Sequence, residues 1–203
     1  VNDSSQVKHL DASQISSTST IFLRLCDDVE YTVDCTCTKI MIEECKNLVL
    51  IVNDKIITSM IEVWKSDNIT LKLKTQVHTI QVDQCGSIRI QYESVENFHS
   101  VVWNNTREIE LKLSEGGEEK YTLSTGDLHL SSSRESVDVE NVKPPEDKDQ
   151  EDSINEAKPL NPYQYIIRLI NDQLTTEELI RAEKGFPTTE REWTDWKRKN
   201  NIP

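Results

Sequence analysis

The chain has 203 residues, with 23 lysines and arginines against 36 aspartates and glutamates, and its net charge is −13. This charge disfavours nucleic acid and anionic membranes as partners, because binding to either depends largely on lysine and arginine. The sequence shows no signal peptide and no apolar run of the roughly 20 residues that span a bilayer, so we expect a cytoplasmic protein without membrane insertion.

One pattern occurs five times after an N-terminal segment, residues 1–19, that has no regular periodicity. Each copy reads apolar, x, apolar, x, x, small, x, x, apolar, x, apolar, x, apolar. The copies span Ile21–Val33, Ile40–Val52, Ile61–Leu73, Ile80–Tyr92 and Val101–Leu113. Their small positions are offset by 19, 21, 19 and 21 residues. A fixed period of this length is typical of a solenoid.

The alternation of apolar and polar residues within each copy predicts two β-strands per repeat. A leucine-rich repeat has a similar period, but it needs an asparagine ladder and a single strand per repeat. We therefore favour an all-β fold, a parallel β-helix of about five to six coils over residues 20–142. Its end coils would present unpaired strand edges, which indicates either a dimer or a capping tail.

Cysteine and histidine are the candidate metal ligands of this chain. Three of its five cysteines occupy the small position of the repeat, so we predict buried free thiols. The Cys35-x-Cys37 pair has no second pair at ligand spacing. His78 and His99 stand 21 residues apart, and ordinary polar turn residues are favoured over a metal pair. No metal site, cofactor or catalytic constellation is predicted, which indicates a protein that is not an enzyme.

Three segments resemble the C-terminal domain of the adenylyl cyclase-associated proteins. These are the run IMIEECKNLVL from Ile40, the run VHTI from Val77, and Glu115-Gly-Gly after the fifth copy. The resemblance covers about residues 21–117. It implies a right-handed parallel β-helix, a dimer formed by exchange of C-terminal hairpins, preferential binding of ADP-actin monomers, and acceleration of nucleotide exchange on actin. The N-terminal parts of full-length members are not recognisable in residues 1–20, so a short form or a fragment is expected.

A sister family, tubulin-folding cofactor C and its relatives, is the alternative interpretation. Those proteins use the arginine of a Q-x-R motif to stimulate GTP hydrolysis. Here the corresponding strand reads Gln81-Val-Asp83 and supplies no positive charge for a transferring phosphate. A third alternative is a structural scaffold whose C-terminal segment makes the specific contact.

Outward positions of the longer strand suggest where actin would bind. Lysine and arginine there would suit an acidic partner, and apolar Val49 and Ile51 on a solvent face suggest coverage. The alternative is a solvated face with cross-strand pairs such as Arg89 with Glu110. The candidate actin-binding residues are Val49, Ile51, Thr70, Lys72, Lys74, Arg89, Gln91 and Lys112.

The chain beyond the fifth copy divides into three parts. Residues 119–140 alternate well enough to supply the exchanged hairpin. Residues 143–160 are acidic and nearly devoid of large apolar side chains, which predicts a disordered linker. Residues 161–203 carry helix signals, with capping boxes at Thr175-x-x-Glu178 and Thr189-x-x-Glu192. We expect a helical extension of three short helices there.

Overall fold

A computed structural model of the protein describes residues 6–126, 163–181 and 186–200. Within these residues the strands form two sheets. Sheet A contains β1 (Gln6–Asp11), β3 (Asp27–Asp34), β5 (Lys46–Val52), β7 (Asp67–Leu73), β9 (Ser87–Tyr92), β11 (Glu108–Glu115) and β12 (Glu118–Ser124). Sheet B contains β2 (Thr20–Arg24), β4 (Lys39–Glu43), β6 (Met60–Trp64), β8 (Val77–Asp83), β10 (Phe98–Asn104), β13 (Gln164–Ile170), β14 (Gln173–Arg181) and β15 (Pro187–Thr188). Helix α1 spans Glu190–Lys199.

The five sequence copies are five stacked coils, so the predicted parallel β-helix is confirmed. Each copy supplies one strand to sheet B and the next strand to sheet A, and neighbouring coils pair in parallel. The strand registers place equivalent positions of the five copies beside one another. Val29, Leu48, Ile69, Ile88 and Ile109, for example, are successive partners across sheet A. All five of these side chains are buried between the sheets.

The N-terminal segment extends the β-helix beyond its expected start at residue 20. Strand β1 pairs in parallel with β3, from Gln6 beside Val29 to Asp11 beside Asp34. Leu10 and Ile15 pack against this end of the core. This half coil was not predicted, because β1 contains only two apolar residues.

The small positions of the five copies stack in one column, called the small column below: Cys26, Cys45, Ser66, Cys85 and Thr106. These side chains are small enough to pack at the turn, and they also form a ladder of hydrogen bonds between coils. The Ser66 hydroxyl donates to the Trp64 carbonyl (2.7 Å) and accepts from the Cys45 N–H (3.1 Å). Thr106 makes the equivalent contacts with Asn104 and Cys85. Burial raises the pKa of the Cys45 and Cys85 thiols to about 11, so at neutral pH they remain protonated donors. The five cysteines are free thiols and four are buried, as predicted, with Cys26 partly exposed.

Each coil turns from sheet B into sheet A through one residue in the left-handed backbone region. These residues immediately precede the small column and have φ between 44° and 55°: Leu25, Glu44, Lys65, Gln84 and Asn105. Non-glycine residues adopt this conformation at some energetic cost, and asparagine tolerates it best. The turn geometry therefore comes from the stacking of coils, since most of these residues do not favour it intrinsically.

The C-terminal end of the β-helix is covered on both sheets by antiparallel strands. Strand β12 folds back on β11 in sheet A. The hairpin of β13 and β14 adds to β10 in sheet B, where Val101 faces Ile167 and Trp103 faces Tyr165. The rings of Trp103 and Tyr165 stack with their centroids 4.7 Å apart. At the other end, β2 has no partner strand on its outer edge among the described residues.

The prediction of helix over 164–181 is wrong, because these residues form strands β13 and β14. The predicted cap at Thr175 does not form, and its hydroxyl donates to the Gln173 carbonyl. The second predicted capping box is confirmed at Thr189 and Glu192, which begin α1. The predicted linker 143–160, and residues 127–140 of the predicted exchanged hairpin, lie outside the described residues.

Candidate functional site

The candidate actin-binding residues are brought together on the outward face of sheet A. Val49 and Ile51 lie on β5, and Thr70 and Lys72 lie beside them on β7. Arg89 and Gln91 follow on β9, and Lys112 follows on β11. Lys74 lies just beyond the end of β7. Because neighbouring strands are about 4.8 Å apart, the seven strand residues fall within roughly 15 Å across the sheet.

Most of the positive charge on this face is paired locally. Arg89 lies 3.6 Å from Glu110, which confirms the predicted cross-strand pair, and it donates to Asn68 at 2.9 Å. Lys112 contacts Glu110 and Glu119, and hydrogen bonds to these carboxylates raise the pKa of its ammonium group. Because exposed pairs of this kind contribute little stability, they leave the charges available for exchange with a partner.

Two features distinguish the centre of the face from an ordinary solvated sheet. Val49 and Ile51 are half-buried apolar residues that stand two positions apart on β5. Lys72 is adjacent to Ile51, is exposed, and forms no ion pair within the described residues. An apolar pair next to an unpaired ammonium group is a small amphipathic patch, which suits contact with another protein.

The N-terminal half coil adds residues to this face that the sequence did not reveal. Val7 of β1 lies opposite Glu30 and is 58% exposed, in the same row as Val49. His9 lies opposite Thr32, and its ring faces Asp34 at 3.4 Å. The alternation in β1 is too short to predict a strand by itself, although the row it continues was visible in the repeats.

The outward face of sheet B carries a second cluster that was not predicted. Phe22 is 49% exposed, and Met41, Met60 and Trp64 are half-buried in the strands that follow. Among them Glu62 is only 8% exposed and pairs with Lys39 at 2.6 Å. A carboxylate at this depth needs such a partner. The signal was present in the sequence as large apolar residues at outward positions of the shorter strand.

A family model for the adenylate cyclase associated (CAP) C terminal matches residues 1–125 of the chain. That range is more than half of the 203 residues and includes every coil together with β12. The chain belongs to the CAP C-terminal family. All eight residues of the candidate face lie inside the matched range, whereas β13, β14 and α1 lie outside it.

Two further comparisons accompany the CAP C-terminal match. A crystal structure of cyclase-associated protein from Cryptosporidium parvum is similar at 16% sequence identity and a TM-score of 0.48. The similarity covers 88% of this chain and 84% of that chain. A comparison with curated proteins gives no match. Within the described residues, no helix has the length and apolar character needed to cross a membrane.

Proposed function

We propose that this CAP C-terminal domain binds actin monomers, prefers the ADP form and accelerates nucleotide exchange, as a cytoplasmic protein that is not itself an enzyme. The observation that carries the proposal is the family match over 1–125, which includes the whole coil array. Membership of this family supports actin binding in general. The nucleotide preference and the effect on exchange are our extension of that role.

We place the contact on the outward face of sheet A, centred on Ile51 and Lys72. A broad sheet face presents its side chains in fixed rows, so binding requires little ordering of the backbone. The amphipathic patch supplies an apolar contact, and the surrounding lysines and Arg89 favour an acidic surface. On binding, carboxylates of the partner would replace Glu110 and the other carboxylates that now pair with those cations.

The double substitution Ile51→Glu with Lys72→Glu should weaken binding to ADP-actin by tenfold or more, which corresponds to a loss of about 1.4 kcal/mol or more. It inserts a charge into the apolar centre and reverses the neighbouring cation. Fluorescence titration with ADP-actin and ATP-actin measures the affinities, and release of a labelled nucleotide measures exchange. The matched control is Lys55→Glu, an exposed site in the loop between β5 and β6.

Unchanged affinity in the double variant, with Lys55→Glu also unchanged, would exclude sheet A as the contact face. No binding of the unmodified protein to either form of actin would overturn the proposed function itself. Equal affinities for the two nucleotide forms would remove the ADP preference and leave the binding role in place.

The cofactor C alternative is disfavoured by the chemistry of β8. Asp83 is half-buried at the position where the arginine of the sister family's Q-x-R motif would fall, and it supplies no positive charge. A carboxylate there would repel a transferring phosphate. The scaffold alternative places the specific contact in the C-terminal segment, and truncation tests it poorly, because removal of β13 would uncover β10.

We also propose a homodimer in which residues 119–140 exchange between chains. In the single chain, β12 covers the edge of β11 from Glu110 to Glu115. The same hydrogen bonds form equally well when β12 comes from a second copy, so exchange requires no new contact type. Light scattering should give a mass near twice the 23.4 kDa of one chain. A monomeric mass at micromolar concentration would exclude the dimer without affecting actin binding by one chain.

A further inference from the structure

Two histidines lie side by side on neighbouring coils, away from the face assigned to actin. His78 is in β8 and His99 is in β10, between the paired positions Val77 with Phe98 and Thr79 with Ser100. Their ring centroids are 5.8 Å apart and their planes are inclined by 59°. Both side chains are exposed, so an ion in solution can reach them.

The backbone beneath this histidine pair is fixed by buried contacts on both sides. The Ser100 hydroxyl donates to the His78 carbonyl at 3.1 Å, and the His78 N–H donates to the Ser59 carbonyl at 2.9 Å. Val77 is fully buried, and its carbonyl accepts from the Tyr92 hydroxyl at 2.9 Å. The backbone positions from which the two rings project are therefore set by the coil array.

The ring nitrogens of the pair have no partner among residues 6–126, 163–181 and 186–200. Within the described residues, neither ring forms a hydrogen bond or an ion pair, and the tilted ring contact is the only interaction between them. His9 differs, because its ring nitrogen faces the carboxylate of Asp34. In its neutral form, each ring of the pair thus offers a free nitrogen lone pair to solvent.

This geometry matches the requirement of a shared metal ion. Neutral imidazole is a preferred ligand of Zn²⁺, with bonds of about 2.0–2.1 Å. The ion then lies about 3 Å from the centroid of each ring, so two rings that share it have centroids roughly 5–6 Å apart. The observed separation falls in this range. The tilt excludes parallel stacking, and edge-to-face aromatic pairs have centroids at similar distances, so the titration below is what distinguishes an ion site from a ring contact.

We propose that His78 and His99 together form a binding site for Zn²⁺ or a similar divalent transition-metal ion. No set of three or more potential ligands occurs in the described part of the chain, so water fills the remaining coordination positions. A site with two protein ligands and open coordination positions favours exchangeable binding of the ion over a structural role for it. Because the backbone already holds the two histidines side by side, binding an ion requires ordering only their side chains, which reduces the entropic cost of chelation.

The test is a Zn²⁺ titration of the full chain by calorimetry, together with NMR of the imidazole nitrogens. We expect one equivalent of zinc to shift the resonances of His78 and His99 only. His78→Ala and His99→Ala should each weaken binding about tenfold or more, and the double variant should bind no better than either, because chelation needs both rings. His9→Ala is the matched control and should bind zinc like the unmodified protein.

Three results would overturn the site. The first is undiminished zinc binding by the double variant. The second is loss of binding in Cys26→Ser, which would assign the ion to the partly exposed thiol. The third is zinc binding that fails to raise the melting temperature of the unmodified protein above that of the double variant, since a ligand of the folded state stabilises it. Both histidines are exposed, so their alanine variants should keep the fold, and circular dichroism verifies this.

Discussion

Ser66→Ala is expected to destabilise the β-helix by about 1–3 kcal/mol, although it removes a single oxygen atom. The Ser66 hydroxyl accepts from the Cys45 N–H and donates to the Trp64 carbonyl. Both Ser66 and Cys45 are buried, at 2% and 0% exposure, so water cannot replace the lost acceptor. The cost is the desolvation of an N–H group left without a partner. Chemical denaturation of the two proteins measures the difference.

Ser66→Cys is the matched control, because cysteine already serves at the equivalent positions 45 and 85. A thiol retains a donor and a weak acceptor at the same place, so this variant should lose clearly less stability than Ser66→Ala. If alanine and cysteine were equally harmful, or equally harmless, the column would be a matter of size alone and the hydrogen-bond ladder would have no energetic role.

Gly86→Ala is expected to destabilise the protein by about 1–2 kcal/mol, although Gly86 does not have a positive φ. A β-carbon at this position would stand 1.7 Å from an oxygen of Asp67 in the preceding coil. That carboxylate accepts from the Ser87 N–H at 2.9 Å and pairs with Arg107 at 3.4 Å. The new methyl group must displace it from both partners. Thermal unfolding reports the loss.

The background Asp67→Gly tests this mechanism directly. Removal of the aspartate side chain takes away the three atoms nearest to the new methyl group. Gly86→Ala should then be neutral or slightly stabilising, because alanine restricts the unfolded chain more than glycine does. The double-mutant cycle isolates the steric term from the loss of the aspartate itself. An equal penalty in both backgrounds would locate the cause in the backbone of residue 86.

The coil array could be predicted from the sequence because its information is local and repeated. Every coil carries the same alternation, so a misassigned position in one copy is outweighed by the equivalent positions in the other four. Registers such as Leu48 with Ile69 follow from alignment of the copies. The functions of individual side chains were harder to foresee. That the small column is a hydrogen-bond ladder depends on distances between coils, which the pattern of residue sizes does not contain.

The C-terminal hairpin was wrongly predicted as helix because the spacing of its apolar residues fits the period of a helix as well as that of a strand. Ile166, Ile167 and Ile170 stand on one side of a helix, yet in the strand Ile167 faces the core and Ile166 and Ile170 face outward. The free edge of β10 decides between the two, since pairing with it buries Ile167 completely. Such an edge exists only in the tertiary structure, and pairing with it outweighs the local secondary-structure propensity of the segment.

The candidate face was predictable as a set of neighbours, because rows across a parallel sheet follow from the period. The electrostatic character of the face could not be predicted in the same way. Glu119 of β12 reaches Lys112 only through the antiparallel return of the chain, and Val7 joins the face only through β1. The sequence did not indicate β1, and it indicated a hairpin over 119–140 without locating it beside Lys112. It therefore overstated the free positive charge of the surface and understated its apolar extent.

Strand β2 has an edge that no other described strand covers, and this makes local unfolding easier at the N-terminal end of the β-helix than at the C-terminal end. In a linear array each coil is stabilised only by the coils above and below it. At the C-terminal end, strands β12 and β13 close both sheets with residues from later in the chain. At the N-terminal end, β2 is the last strand of sheet B in the described part of the chain. Loss of the first coil leaves β4 as an edge of the same kind, so the molecule can shorten one coil at a time from this end while the remaining coils keep their register.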